Sequence, residues 1–161
     1  MEITRLGLVS DTHGMLRKGA VSALEGVQYI IHAGDIDTGE VLESLEKIAP
    51  VTAVRGNMDS PRIFPGIPEW DLIDISGMSF YVIHDLNRMD IRPEAAGVSV
   101  VVSGHTHHPE IGKRNGVLYL NPGSAGPKRL GHPVTIGILE IRSGQVQPEI
   151  IGPDIIEIDG F

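Results

Sequence analysis

Five times along this chain an apolar run stops and a side chain able to bind a metal ion follows within a few residues: LGLVSDTH, YIIHAGD, TAVRGNMD, FYVIHD and VVVSGHTH. These segments supply Asp11, His13, Asp35, Asn57, His84, His105 and His107. Carboxylate, amide and imidazole donors without thiolate suit Mn²⁺, Zn²⁺, Fe or Mg²⁺. The chain has no cysteine, so any metal must sit on nitrogen and oxygen. Asp11 and His13 are two residues apart, as are His105 and His107. Residues so spaced in extended backbone point to one side, so each pair is expected to converge on one pocket. Glycines 14, 34, 56 and 104 let the backbone turn tightly or approach a ligand at those places. Taken singly the motifs are ordinary, because Asp, Asn and Gly are common where strands end in turns. His32, His108 and His132 are read as hydrogen-bonded or solvated neighbours. The fivefold repetition sets the seven residues apart.

Positioning them requires strands whose ends meet. Runs rich in β-formers cover residues 3–9, 27–32, 51–55, 72–75, 80–84, 98–103, 117–120, 134–141 and 145–151. A helix is expected over 40–48, where Val41, Leu42, Leu45 and Ile48 share a face, Thr38 or Asp37 caps the start and Pro50 follows the end. A second helix is expected over 17–24. Ser76-Gly77, Asn115-Gly116 and Ser143-Gly144 lie between β-rich runs, the pattern of tight hairpins. The first third therefore reads β-α-β-α-β and the remainder mostly antiparallel β. The expected architecture is α/β, a four-layer α-β-β-α sandwich of two mixed sheets flanked by helices. In such folds the loops at the carboxyl ends of strands share a crevice, so five loops can feed one site.

The chain has 161 residues, 41% of them hydrophobic, enough for one sizeable core, so residues 1–161 are read as a single domain. A formal charge of −8 leaves no overall basic field to attract nucleic acid or an anionic membrane, so no stable binding to either is expected. The amino terminus, MEITRLGLVSDTHG, reads as a strand rather than a signal peptide, and no apolar run is long enough for a membrane helix. A cytoplasmic location is expected.

The ordered blocks D-x-H (Asp11, His13), G-D (Gly34, Asp35), G-N-x-D (Gly56, Asn57, Asp59), a strand-end His84 and G-H-T-H (104–107) resemble the calcineurin-like metallophosphoesterase superfamily. The segment NPGSAGPKR at 121–129 resembles its small prokaryotic phosphodiesterase branch, related to the retromer vacuolar-sorting subunit. The resemblance implies two divalent ions, Mn²⁺ first, with Zn²⁺, Fe or Ni²⁺ as alternatives. One ion would take Asp11, His13, Asp35 and His107. The other would take Asp35, Asn57, His84 and His105, so that Asp35 bridges. It further implies hydrolysis of a small-molecule phosphate ester, mainly a diester, by a hydroxide bridging the ions. Asn57, Arg55 and Arg129 are the implied substrate contacts, with Arg62 and Lys128 as further candidates near motif loops. Relatives of this kind form dimers or tetramers, and the tail 149–161 offers either a surface for a neighbouring copy or an edge strand. The second function carried forward is a catalytically weak metal-binding scaffold that recognises a protein partner.

Two positions depart from the family pattern. Met58 stands where many members carry a His after Asn, and Met has no proton to donate. Leu86 replaces the last His of a common His-Gly-His, and Asp85 replaces its Gly. Asp85 is expected either to orient His84 from behind or to face solvent.

Overall fold

Apolar alternation sets the layers. In the first strand Leu6 and Leu8 point one way and Val9 the other, and all three are buried, because both faces of the strand are covered. The computed structural model describes residues 2–129, 131–143 and 148–158. Its first sheet has the order β10-β9-β1-β2-β3, from β1 (Glu2–Val9), β2 (Tyr29–His32), β3 (Val51–Ala53), β9 (Thr135–Ser143) and β10 (Glu149–Glu157). The second has the order β4-β5-β6-β8-β7, from β4 (Trp70–Ile75), β5 (Met78–Ile83), β6 (Val100–Val102), β7 (Glu110–Arg114) and β8 (Val117–Asn121). Both are mixed. β1, β2 and β3 are parallel to one another, as are β5, β6 and β8; β9 runs antiparallel to both β1 and β10, β4 to β5 and β7 to β8.

The inner faces bury Leu6, Leu8, Ile31, Phe80, Val82, Val100, Val102, Leu118, Leu120, Leu139 and Ile141 against each other. On the outer face of the first sheet, α1 (Lys18–Ala23) and α2 (Gly39–Glu46) cover Val9, Ile30, Ile136 and Ile138 with Ala20, Leu24, Val41 and Leu45. The approach of α1 is close enough that a methyl at Gly7 would meet the Leu24 side chain. On the outer face of the second sheet, Tyr81, Ile83, Val101 and Val117 are covered by Leu86, Met89 and Ile91, from a 3-10 turn (Leu86–Arg88) and the loop after it. That layer is an irregular strap rather than an α-helix.

The β-α-β-α-β start is observed, with the helices somewhat shorter than expected. Thr38 is the residue at the N-cap of α2, yet its side chain makes no cap bond, and Asp37 is turned elsewhere. Ser76-Gly77 and Asn115-Gly116 both adopt positive φ at both residues, the conformation that matches the twist of two-residue hairpins. Gly144 of the third expected hairpin lies outside the described residues, as does the start of the run expected at 145–151. β10 is found further along, with an irregular register between Ile151 and Asp154. β7 was not expected: all five of its residues are exposed and three are charged, so it carries no alternation. Among the described residues no helix is long and apolar enough to cross a membrane.

Candidate metal centre

All seven side chains singled out in the sequence lie at the carboxyl ends of parallel strands, at one end of the sandwich. Asp11 and His13 follow β1, Asp35 follows β2, Asn57 follows β3, His84 follows β5, and His105 and His107 follow β6. Backbone bonds lock these ends together: the Asp11 N–H donates to Gly34 O (2.9 Å), His13 N–H to Asp35 O (3.0 Å) and Gly104 N–H to His84 O (3.0 Å).

The convergence does not come from strand alternation, as the two-residue spacing had suggested. Asp11, His13, Asp35, His105 and His107 all adopt left-handed backbone, with φ of 53°, 46°, 57°, 73° and 63°. Asp37 joins them at 69°. Only two other described non-glycine residues have positive φ, both in hairpins. Each such residue costs about 1 kcal/mol or more, so the surrounding contacts must hold the loops in place. Part of that hold is the absence of side chains at Gly56 and Gly104. A methyl at the first would land on the Asp35 carboxylate, and at the second on Ser10 Oγ.

The centre is acceptor-rich. Asp11 is fully buried; its Oδ2 accepts from Ser10 Oγ (2.7 Å) and from the His105 N–H (3.0 Å). Its Oδ1 has no hydrogen-bond partner. That oxygen lies 3.3 Å from His107 Nε2 and 3.8 Å from both His13 Nε2 and His84 Nε2. Asp35 Oδ1 accepts from the Met58 N–H (2.9 Å), and Oδ2 lies 3.3 Å from His84 Nε2 and 3.7 Å from His13 Nε2. His84 donates Nδ1–H to Ala33 O (2.7 Å), so in neutral form its Nε2 lone pair faces Asp35 Oδ2 and Asn57 Oδ1, the latter at 3.1 Å. The Nε2 atoms of His13 and His107 face each other at 3.3 Å. Asn57 Oδ1 also sits 3.2 Å from His105 Nδ1.

Facing lone pairs repel unless a positive charge lies among them. Two overlapping groups, Asp11–His13–His107 and Asp11–Asp35–His84, present ligand atoms within 4.8 Å of one another. Asp11 is common to both, and Asp35 Oδ2 also fronts His13 and His84, so each carboxylate reaches both groups. The orphaned buried oxygen, the opposed imidazoles and the all-N/O donors fit divalent cations.

The titration behaviour agrees with this. Burial pushes the Asp11 carboxyl above its ordinary range, more than its contacts with His84, Ser10 and His107 pull it down. Burial would also raise Asp35, but the His84 hydrogen bond, the Met58 N–H and the charges of His84 and His13 hold it below the ordinary range. Burial would lower His84, yet the Asp35 hydrogen bond, the charges of Asp11 and Asp35 and the Ala33 carbonyl raise it. His107 is lowered by burial and, against the pull of Asp11, by the charges of Arg129 and His13. Burial thus leaves the Asp11 carboxylate in need of positive charge close by.

Several residues that hold the site had not been given this role. Asp59, read only as part of a block, is buried and accepts from the N–H groups of Ile36, Asp37 and Gly56 at 2.8–3.1 Å, pinning the loop after β2 to the loop after β3. His32, read as a neighbour, is fully buried: Nδ1 accepts from Gly34 N–H (3.1 Å), so Nε2–H donates to Thr12 Oγ1 (2.9 Å). Burial, aided by the charge of His84, drops its pKa from 6.5 to about 3, so it stays neutral. Asn121 donates Nδ2–H to Gly104 O (3.0 Å) and Thr106 Oγ1 (3.1 Å), and Ser124 Oγ donates to Asp11 O (3.0 Å). The signal for Asn121 and Ser124 is the polar NPGS run that breaks the apolar pattern at the end of β8.

Asp85 does not reach behind His84. It caps the 3-10 turn through Asn87 N–H (3.0 Å), and its Oδ2 lies 3.8 Å from His105 Nε2. Arg55 donates Nε–H to Ile67 O (2.7 Å), tying down the Pro-rich loop. Arg129 is exposed and close enough to His107 for its charge to be felt there. Met58 is 61% exposed beside Asn57.

The family model of the calcineurin-like phosphoesterase superfamily domain matches residues 4–144. A probable metallophosphoesterase of Methanothermobacter thermautotrophicus is 33% identical over 91% of both chains. Phosphodiesterase YfcE of Escherichia coli is 29% identical over 84% of this chain and 87% of its own. Among solved structures, vacuolar protein sorting 29 from Cryptosporidium parvum superposes with a TM-score of 0.74 at 18% identity, covering 96% of this chain and 98% of the other. At that identity the last likeness speaks for the fold.

Proposed function

Because the chain belongs to the calcineurin-like phosphoesterase superfamily, a family of metal-dependent phosphoesterases, we propose that it is a phosphodiesterase with two divalent ions at the strand-end centre. The observation that carries this reading is the buried, partnerless Asp11 Oδ1 facing three imidazole Nε2 atoms at 3.3–3.8 Å. Asp11, His13, Asp35 and His107 hold one ion, and Asp35, Asn57, His84 and His105 the other, with Mn²⁺ as the first choice and Zn²⁺, Fe or Ni²⁺ as alternatives. When bound, such ions would supply a water acidic enough to attack near neutral pH and positive charge for the phosphoryl group.

The chain's own residues do the rest. Asp11 and Asp35 supply the only carboxylates aimed into the centre among its seven candidates, so two dications leave it net positive inside an acidic protein. Ala33 O fixes the His84 tautomer that offers Nε2. Arg129 at the rim meets the phosphate or the leaving group, and Asn57 and Arg55 flank it. The substrate is a small phosphate ester, and the protein works as a single domain.

Met58 offers no proton where many relatives carry His, so leaving groups that depart unprotonated are favoured. With Mn²⁺, bis(4-nitrophenyl) phosphate is hydrolysed, and dialkyl diesters turn over about 10²–10⁴-fold more slowly, the usual worth of general acid catalysis. Protein that binds Mn²⁺ yet hydrolyses no ester in a panel of aryl mono- and diesters overturns the proposal. That result supports the scaffold reading, which the exposed Met58 favours.

A further inference from the structure

We propose that Asp37 is the positioning residue of His13, holding its proton on Nδ1 so that Nε2 is presented to a divalent cation; this rests on the reading of His13 as a metal ligand. Asp37 looks in sequence like a helix cap, two residues before α2. It does not act as one: the N-cap is Thr38, and the helix start has no side-chain cap bond.

Instead the Asp37 carboxylate faces the outer edge of the imidazole, with Oδ2 3.4 Å from His13 Nδ1. Its other oxygen is buried without a hydrogen-bond partner. The backbone is set for this placement: φ is 69°, and the Asp37 N–H donates to Asp59 Oδ1 at 2.9 Å. A residue held in left-handed backbone by a neighbouring carboxylate has little freedom to aim elsewhere.

The other imidazoles differ in their outer nitrogens. His84 has Ala33 O at 2.7 Å, His105 has Asp85 Oδ2 at 3.8 Å, and His107 Nδ1 has no partner. Asp37 is thus the nearest carboxylate to any outer imidazole nitrogen of the centre. A carboxylate there stabilises the Nδ1–H tautomer, restrains the ring and makes Nε2 a better donor. Nothing in the resemblance points to position 37; the geometry alone does.

The test is calorimetric titration of the full metal-free chain with Mn²⁺, comparing wild type, Asp37→Gly, Asp37→Asn and His13→Ala. Glycine suits φ 69° and removes only the carboxylate; asparagine tolerates that φ and keeps an accepting oxygen without charge. Expected is Mn²⁺ affinity about 10–100-fold weaker in Asp37→Gly and intermediate in Asp37→Asn, with the metal-free unfolding midpoint unchanged. By ¹⁵N NMR, His13 holds the Nδ1–H form in wild type and a tautomer mixture in Asp37→Gly. Asp37→Gly binding Mn²⁺ within about twofold of wild type, while His13→Ala loses it, overturns the role of Asp37. Undiminished binding by His13→Ala removes the premise itself.

Discussion

The two sheets contribute unequally to the centre. Loops of the first sheet bring Asp11, Asp35, Asn57 and His13, and thus both carboxylates; loops of the second bring imidazoles only. The first set is cross-clamped: Asp59 takes three backbone N–H groups from two loops, and His32 joins Thr12 to Gly34. Among the described residues the second has no such shared carboxylate of its own. It is held by Asn121 on Gly104 O and Thr106 Oγ1, by the Gly104 N–H on His84 O, by the His105 N–H on Asp11 Oδ2 and by His84 on Ala33 O, with the His105 ring exposed at the mouth. Burial alone pushes both carboxylates toward protonation, so the hydrogen bonds of their clamped loops and a nearby positive charge are what keep them ionised. Of the three imidazoles from the second sheet, His84 and His107 are buried and only His105 meets solvent, which a neutral ring tolerates.

The sharpest way to break this contrast is to remove ligands from each half. Asp35→Asn is expected to lower Mn²⁺-dependent kcat about 10³-fold or more, several kcal/mol of transition-state stabilisation. His105→Ala is expected to cost about 10–100-fold. Steady-state kinetics on an aryl diester, beside metal content, decides; equal losses would mean that the halves are equivalent.

A smaller effect sharpens the structural side. Asp59→Ala leaves three N–H donors without their carboxylate, one buried and two part-buried, and should destabilise by about 4 kcal/mol in denaturant unfolding, against about 2 kcal/mol for Asn121→Ala. Similar values for both would dissolve the distinction in clamping.

The smallest effect is in acid. His32 has a pKa of about 3 when folded and titrates near 6.5 when unfolded. A group with a depressed folded pKa lets the unfolded chain take up protons first, so stability falls as pH drops below 6.5. About 1 kcal/mol should be lost from this residue between pH 7 and 5.5. Urea midpoints across that range, compared with those of His32→Gln, measure it; an identical slope in the variant would show that His32 is not the group.

The strand ends were legible because each apolar run breaks off at a polar residue whose burial makes no sense in a core. The ordered strands, the layered sheets and the seven convergent residues could be read on that basis. What escaped depends on approach rather than pattern. Asp59 and Asp37 act through loops brought together only in three dimensions, and their residue type is ordinary for a turn. His32 looked like a boundary residue because nothing local marks a site sealed by its own loops. β7 escaped for the opposite reason: an edge strand exposed along its length needs no hydrophobic period, and only the Asn115-Gly116 turn hinted that a partner for β8 came before it.

The left-handed backbone at Asp11, His13, Asp35, His105 and His107 narrows what inheritance can substitute there. Asp, Asn and His are among the few non-glycine types that visit this region readily, and they also carry donor atoms on short side chains. Each position is thus chosen twice, once by the cation and once by the chain. A glutamate keeps the charge but fits neither the reach nor the φ, while glycine relieves the φ and abandons the ion. The replacements that satisfy both demands are fewer than either would allow alone, so drift at these sites has almost nowhere to go.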